Sequence, residues 1–468
     1  MNAFSPNDLA VWTGGAWTQP PTSPLSGFAI DTRQLQPGQV FVAIKSELRD
    51  GHDFLGAALA AGASAALVTR PNLDVTLPQL VVADTVAAFQ AIARAHRQNF
   101  PGKIVGISGS CGKTSTKNLL ALLLGGGTGV LATEGNLNNH LGVPLTLTRL
   151  DPAQHKFAVV EAGISAPGEM APLARMIEPD LALITLVAPA HLEELGDVEG
   201  VAREKAKLPA AIRASGIAVF PRQCADYAPF RELDVRTLVV EPADVIRPAE
   251  PPKDRVFFAV TQRGDSTGLA IAYGPPPPLT FTMTRVSNGM AQNAALAICA
   301  ALWLGVSRDV IQQRLATWQP AMWRGEFRRE HGVSLYLDFY NANPASMADA
   351  LETFFALTPS AEPRLLVLGC MEELGPRAVE YHRALGLSLN LNDHDRVFII
   401  GDYARDVRAG AIVNGCRPEQ VKIVAAIEPG RAALAGFRGA VFFKGSRRYA
   451  LEKILEPSLA AVLGATEK

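Results

Sequence analysis

Short apolar runs and amphipathic stretches alternate along nearly the whole chain, and this alternation predicts an α/β protein with several parallel sheets. Toward the N-terminus, Phe28–Ile30, Val40–Ile44 and Ala65–Val68 read as strands, with a turn at Gln36-Pro-Gly-Gln39. Leu55–Ala61 and Val86–Asn99 read as helices beside them. Next come Ile104–Ile107, Phe157–Val160 and Leu181–Thr185, apolar on every residue or nearly so, as strands buried on both faces of a parallel sheet are. Leu365–Leu368, Arg396–Ile400 and Ala440–Phe443 repeat that pattern near the C-terminus and suit a dinucleotide-fold-like topology, although no Gly-x-Gly-x-x-Gly follows any of them. Val240–Asp254, rich in proline and charge, reads as an exposed loop, and Gly274–Pro278 as a rigid turn between strands. The pattern divides the chain into a small α/β domain over residues 1–101, a central parallel-sheet domain over 102–317 and a Rossmann-like domain over 318–468.

Composition narrows the function classes. With 468 residues and 48% hydrophobic content, each domain can bury an ordinary core. A formal net charge of −1 gives no broad attraction for nucleic acid or an anionic membrane, so cations should act locally. The five cysteines are scattered, with no Cys-x-x-Cys pair, and read as free thiols. The first residues carry no signal-peptide pattern and no uncharged apolar run is long enough to span a membrane, so a cytoplasmic protein is expected.

The richest chemistry lies at Gly109-Ser-Cys-Gly-Lys-Thr-Ser115, between a predicted strand and a predicted helix. Small residues let backbone N–H groups curl around phosphate oxygens, Lys113 supplies a fixed charge, and the Thr114 hydroxyl can hold Mg²⁺. The residues of this cradle are Gly109, Ser110, Cys111, Gly112, Lys113, Thr114 and Ser115. Ile107 stands where the strict phosphate-loop pattern has Gly. Glu161 and His191 each follow an apolar strand, where ligands of open α/β sheets gather. Glu161 can bind a cation near the phosphates or simply cap a helix; His191 is a metal ligand or a structural histidine. The lysines of Arg203–Leu208 fit a solvated helix face. Asp338 ends another strand, before the Asn-rich turn Tyr340-Asn-Ala-Asn-Pro344, and suits either ribose hydroxyls or turn chemistry. Lys444 and Arg447 follow the last strand, as an anion site or a surface turn.

Taken in order, these strings resemble the Mur ligases. Asp31-Thr-Arg33, Asp50-Gly-His-Asp-Phe54, the Gly109–Ser115 loop, Gly135-Asn-Leu-Asn-Asn-His-Leu-Gly-Val-Pro144, Ala190-His-Leu-Glu193, Tyr340–Pro344, Glu373-Leu-Gly375 with His382, and Lys444-Gly-Ser-Arg447 carry the resemblance. Asn-Leu-Asn-Asn before Gly-Val-Pro points to the dipeptide-adding member. The resemblance implies ATP-dependent ligation of D-alanyl-D-alanine to UDP-N-acetylmuramoyl-tripeptide by a monomer, through an acyl phosphate, with two Mg²⁺ ions and closure of the third domain over the second. It implies catalytic roles for Lys113, Lys207, His191 and Glu161, with Lys207 carbamylated and Thr114, Glu161, His191 and Lys207 around the metal ions. It places Asn293, Arg324 and Asp338 on the nucleotide. Thr32, Arg33, Asn136, Asn138, Asn139, Tyr340, Asn341, Lys444 and Arg447 fall to the substrates. The chain departs from the family pattern at Lys45-Ser46, Ala162–Ser165, Gly289-Met290, Phe339 and Cys370. Three other readings stay open: a Mur-type ligase with another UDP-peptide or amino acid, a nucleotide-binding module without ligase activity, and a plain phosphate-loop ATPase or kinase.

Overall fold

The computed structural model describes residues 4–246, 252–330, 332–434 and 437–455. It contains three sheets. The first orders its strands Ala16–Trp17, Gln79–Val81, Ala65–Val68, Val40–Val42 and Phe28–Ala29, parallel except at the first pair. Its helix Thr85–Gln98 starts at Asp84, whose carboxylate accepts from the N–H groups of Val86 and Ala87 and so caps the N-terminus, while the Thr85 hydroxyl donates to the Ala43 carbonyl at 3.0 Å. Arg97 at the far end of that helix is fully buried and donates to Asp180 at 2.9 Å, with Lys103 on the other carboxylate oxygen at 3.0 Å. That buried ion network joins the first helix layer to the second sheet.

The second sheet has nine strands, in the order Leu279–Thr284, Ser266–Ala272, Arg255–Arg263, Thr237–Pro242, Ile217–Pro221, Leu181–Ile184, Lys103–Ser108, Phe157–Glu161 and Val130–Ala132. Leu119, Leu120 and Leu123 cover one face together with the helix Asn288–Trp303, while Leu173, Ala174 and Val201 cover the other. Burial on both faces explains why its inner strands carry unbroken apolar runs. The pattern of 102–317 suggested only parallel strands, yet Ser266–Ala272 and Leu279–Thr284 run antiparallel at one edge. Alternating Thr and apolar residues in that hairpin mark a sheet with one covered face. Val240 lies in the strand Thr237–Pro242, buried, so the expected loop starts later than Val240. Part of that loop, residues 247–251, lies outside the described residues.

The third sheet runs Glu326–Glu330, Val333–Asp338, Gly439–Lys444, Arg364–Gly369, Arg396–Ile400 and Val421–Ile423. Only its first pair is antiparallel. Val333–Asp338 and Gly439–Lys444 are neighbours in register, with Asp338 opposite Lys444. The carboxyl ends of this sheet face the carboxyl end of Lys103–Ser108, and the functional residues collect between them.

Candidate active site

A cavity of about 580 Å³ opens between the second and third sheets. The strand Lys103–Ser108 enters it, turns through Gly109–Gly112 and continues as the helix Lys113–Leu124. Two glycines make the turn possible. Gly109 has φ +149°, and a β-carbon there would stand 1.8 Å from Thr185 Oγ1. Gly112 has φ +78°, and a β-carbon there would stand 2.3 Å from Asn293 Nδ2. Ser110 Oγ donates to the Ala188 carbonyl at 2.8 Å, and Thr185 Oγ1 donates to the Cys111 carbonyl at 2.5 Å. The loop is thus pinned from the next strand's end. No side chain caps the helix at Gly112, which leaves its first N–H groups for an anion.

Lys113 Nζ donates to the Gly109 carbonyl at 2.8 Å. A second lysine, Lys205, donates to the same oxygen at 3.0 Å. Lys205 is 1% exposed. Burial, reinforced by the charge of Lys113, holds the Lys205 pKa well below that of a free lysine. Burial also lowers the pKa of Lys113, partly offset by Glu161. Lys207, the lysine expected to join this site, does not. It is half-exposed, pairs with Glu204 and lines a separate surface groove with Arg203 and Glu232. The helix Val198–Ala206 explains the difference: Val201, Ala202 and Lys205 share its buried face, whereas Lys207 falls just beyond its end. The 3.6-residue period of those apolar positions is the signal that singles out Lys205 in the sequence.

Glu161 is buried at the end of Phe157–Glu161, the strand paired with Lys103–Ser108. Thr114 Oγ1 donates to its carboxylate at 3.0 Å and Asn138 Nδ2 donates at 2.9 Å. Lys117 Nζ, also buried, donates to the Thr133 carbonyl at 2.6 Å, while the Thr133 hydroxyl accepts from the Glu161 N–H. Asn139 Oδ1 accepts from the N–H groups of Leu141 and Gly142, so it holds the turn, while Asn136 lines the cavity. His191 sits in the left-handed region at φ +54° and lines the same cavity. Its Nδ1 pairs with Glu373 from the third sheet. Burial lowers its pKa, opposed by Glu373 and assisted by Lys113 and Lys205. Burial pushes the Cys111 thiol up to about 11, which keeps it protonated near neutrality and removes it as a nucleophile.

The third sheet supplies the other wall. Lys444, 1% exposed, donates to Asp338 Oδ2 at 2.6 Å, an ion pair between neighbouring strand ends. The Arg324 guanidinium stacks on the Tyr340 ring at 3.9 Å. Asn343 caps the helix Pro344–Leu357 and also donates to the Ser110 carbonyl at 3.2 Å, a direct bond from the third sheet's layer to the phosphate-type loop. Asn341 Oδ1 is taken up by the Ala342 N–H. Asn293 and Asp349 line the cavity, and Asp349 accepts from the Gly289 N–H at 2.8 Å.

Three expected substrate residues lie outside this cavity. Arg33 forms an exposed ion pair with Asp31 at 2.6 Å, next to Thr32. Arg447 pairs with Glu452 at 2.6 Å and its guanidinium lies over Trp323. Lys205, Lys117, Thr185 and Asp349 are the residues that sequence reasoning missed, and Glu373 entered only as part of a string. Apart from Lys205, their sequence signals are weak, because each acts through a partner more than 15 positions away.

The Mur ligase middle domain matches residues 107–301, and the Mur ligase glutamate ligase domain matches residues 323–447. UDP-N-acetylmuramoyl-tripeptide–D-alanyl-D-alanine ligase of Bacillus subtilis is 30% identical over 94% of both chains. Among solved structures, MurF from Acinetobacter baumannii superposes with a TM-score of 0.86 at 28% identity over 99% of both chains. MurF from Thermotoga maritima in complex with ADP gives a TM-score of 0.79 at 27% identity, covering 94% of this chain and 98% of that one. The ligase of the same name from Escherichia coli is 32% identical over 92% of this chain and 93% of its own length, and the chain therefore belongs to the Mur ligase family.

Proposed function

We propose that this protein joins D-alanyl-D-alanine to UDP-N-acetylmuramoyl-tripeptide with ATP, as its curated relatives are named for doing. The observation that carries this reading is the single cavity in which Lys113, Thr114 and Glu161 of the second sheet face Arg324, Asp338 and Lys444 of the third. The expected limits 1–101, 102–317 and 318–468 follow the three sheets, and we take them as the domains.

A carboxylate resists amide formation because oxide is a poor leaving group. Transfer of the γ-phosphoryl group to the tripeptide's terminal carboxylate makes an acyl phosphate, with ADP leaving. The amine of D-alanyl-D-alanine then attacks the acyl carbon, and phosphate departs with one former carboxylate oxygen. The N–H groups at the start of Lys113–Leu124 and the Lys113 ammonium bind the β- and γ-phosphates and offset charge as it develops. Arg324 approaches those phosphates from the third sheet, while Asp338, held by Lys444, takes ribose hydroxyls. Bringing the substrates into one cavity turns bimolecular encounters into an intramolecular reaction. Enclosure between two sheets excludes water from the acyl phosphate.

The donors fit magnesium. Thr114 Oγ1 already contacts Glu161, and Mg²⁺ takes one or two carboxylates together with phosphate and water oxygens. Among the described residues no group of three His, Cys, Asp or Glu side chains forms a dedicated metal cage, as expected where phosphate completes the shell. Thr114, Glu161 and His191 would hold the two ions, which neutralise charge on the transferring phosphoryl group when bound. The carbamylation expected at Lys207 moves to Lys205. A lysine held below its usual pKa presents the neutral amine that adds CO₂, losing a proton as the N–C bond forms. A carbamate there would also replace like-charge repulsion with Lys113 by attraction.

Incubation with ATP, Mg²⁺, the UDP-tripeptide and D-alanyl-D-alanine tests the reading. Mass spectrometry should show the UDP-pentapeptide in step with ADP. ADP release without that product, or no release above background, would sink it.

A further inference from the structure

His191 and Glu373 come from different sheets and meet at the mouth of the cavity. Both are non-glycine residues in the left-handed region, at φ +54° and +61°. Such backbone is strained and persists where the surroundings over-determine it. Here the surroundings are each other. Glu193 N–H donates to the Glu373 carbonyl at 3.3 Å. Gly375, at φ +60°, lies so close to this turn that a β-carbon would stand 3.2 Å from the Glu193 nitrogen. The segment after Arg364–Gly369 is therefore fitted against the turn that carries His191, main chain to main chain as well as side chain to side chain.

We infer that Glu373 is a positioning residue: its carboxylate accepts the Nδ1 hydrogen of His191, turns Nε2 toward the cavity as a lone-pair donor, and so makes the cation site of the second sheet complete only when the third sheet is docked. The chemistry follows from the partners. An imidazole has two ring nitrogens, and a carboxylate can only accept, so Nδ1 carries the hydrogen and Nε2 is left as the donor. Histidines that ligate metals are oriented in this way by a carboxylate on the other nitrogen, and loss of such a partner weakens the metal by 10–100-fold. The inference rests on the ligase reading only for what the site is used for; the tautomer and the cation affinity can be measured without any turnover.

The chain has 8 histidines, so selective ¹⁵N labelling resolves their imidazoles. In the protein bound to ADP and Mg²⁺, long-range ¹H–¹⁵N spectra should show His191 protonated at Nδ1 and bare at Nε2. Glu373→Ala should abolish that preference and weaken Mn²⁺ binding to the ADP-bound protein by about 10–100-fold in electron paramagnetic resonance titrations. The Glu373 side chain is more than half exposed, so the variant should fold, which circular dichroism checks. Glu373→Gln, whose amide oxygen still accepts, should restore the tautomer and part of the affinity. A His191 protonated at Nε2 in the wild-type protein would overturn the inference, as would Mn²⁺ affinity in Glu373→Ala equal to wild type. Neither result depends on whether the protein makes the UDP-pentapeptide.

Discussion

The two walls of the cavity are built on different principles. On the second sheet, Gly109, Gly112, Lys113 and Thr114 come from one strand–turn–helix connection, and the loop's shape follows from glycine conformation and from the strand beside it. On the third sheet, Arg324, Asp338, Asn343, Glu373 and Lys444 come from four separate segments and reach the same space only because that sheet docks on the second. The first wall is local and preorganised; the second is assembled. Changes in the first should therefore strike chemistry directly, and changes in the second should act through docking and substrate order.

The largest effect is expected from Lys113→Ala, which removes the charge inside the loop. Turnover should fall about 10²–10³-fold, as when one preorganised stabilising group is lost, with thermal stability near wild type. Steady-state ADP release, read beside a melting curve, checks it. A comparable loss from Arg448→Ala, a 63% exposed residue after the last strand of the third sheet that pairs with Glu372 outside the cavity, would erase the distinction.

Next come the two lysines at the end of Val198–Ala206. Lys205→Ala should cost about 10²-fold in turnover, with partial recovery when a short-chain carboxylate fills the vacated space. Lys207→Ala should stay within about 0.5 kcal/mol of wild type in stability, with turnover unchanged, as an exposed substitution does. The reverse ranking would return the role to Lys207.

On the assembled wall, Asn343→Ala removes both a helix cap and the bond to Ser110. A stability loss of about 0.5–2 kcal/mol is expected in denaturant titration, with a larger change in KM than in kcat. The smallest effect concerns pH. Burial raises the Asp349 pKa above the 3.8 of an exposed carboxyl, against bonds from Ser287 and Gly289 and the charge of Lys444, with Asp338 adding to the rise. The folded state then holds a proton that the unfolded state has lost, so stability falls as pH rises from about 3.8 through the raised pKa. Asp349→Asn keeps an acceptor for the Gly289 N–H and should flatten that slope. A slope unchanged in the variant would assign it elsewhere.

The same contrast decides how much was legible in the sequence. The phosphate-type loop, Glu161 and Asp338 were legible because each sits at the end of an apolar run, and the carboxyl ends of strands are where open sheets place ligands. The three α/β layers were legible for the same reason. Lys205 was within reach, since helical period puts it with Val201 and Ala202, whereas the resemblance points to Lys207, which lies in a separate surface groove. The antiparallel hairpin of Ser266–Thr284 was obscured because its connection, Gly274–Pro278, is a proline run and a further proline-rich segment precedes the edge strands. Glu373 and Asp349 could not be assigned from local pattern at all. Their partners, His191 and Gly289, are 182 and 60 positions away, and only the docking of one sheet on another brings them together.

In the proposed reaction the phosphoryl group passes to a carboxylate before the amide forms. This order is tested most directly with UDP-tripeptide carrying ¹⁸O in its terminal carboxylate, turned over with ATP and D-alanyl-D-alanine. One ¹⁸O atom per turnover should appear in the released phosphate. Phosphate carrying oxygen only from ATP and solvent would rule out an acyl phosphate and leave a phosphate-loop ATPase in its place.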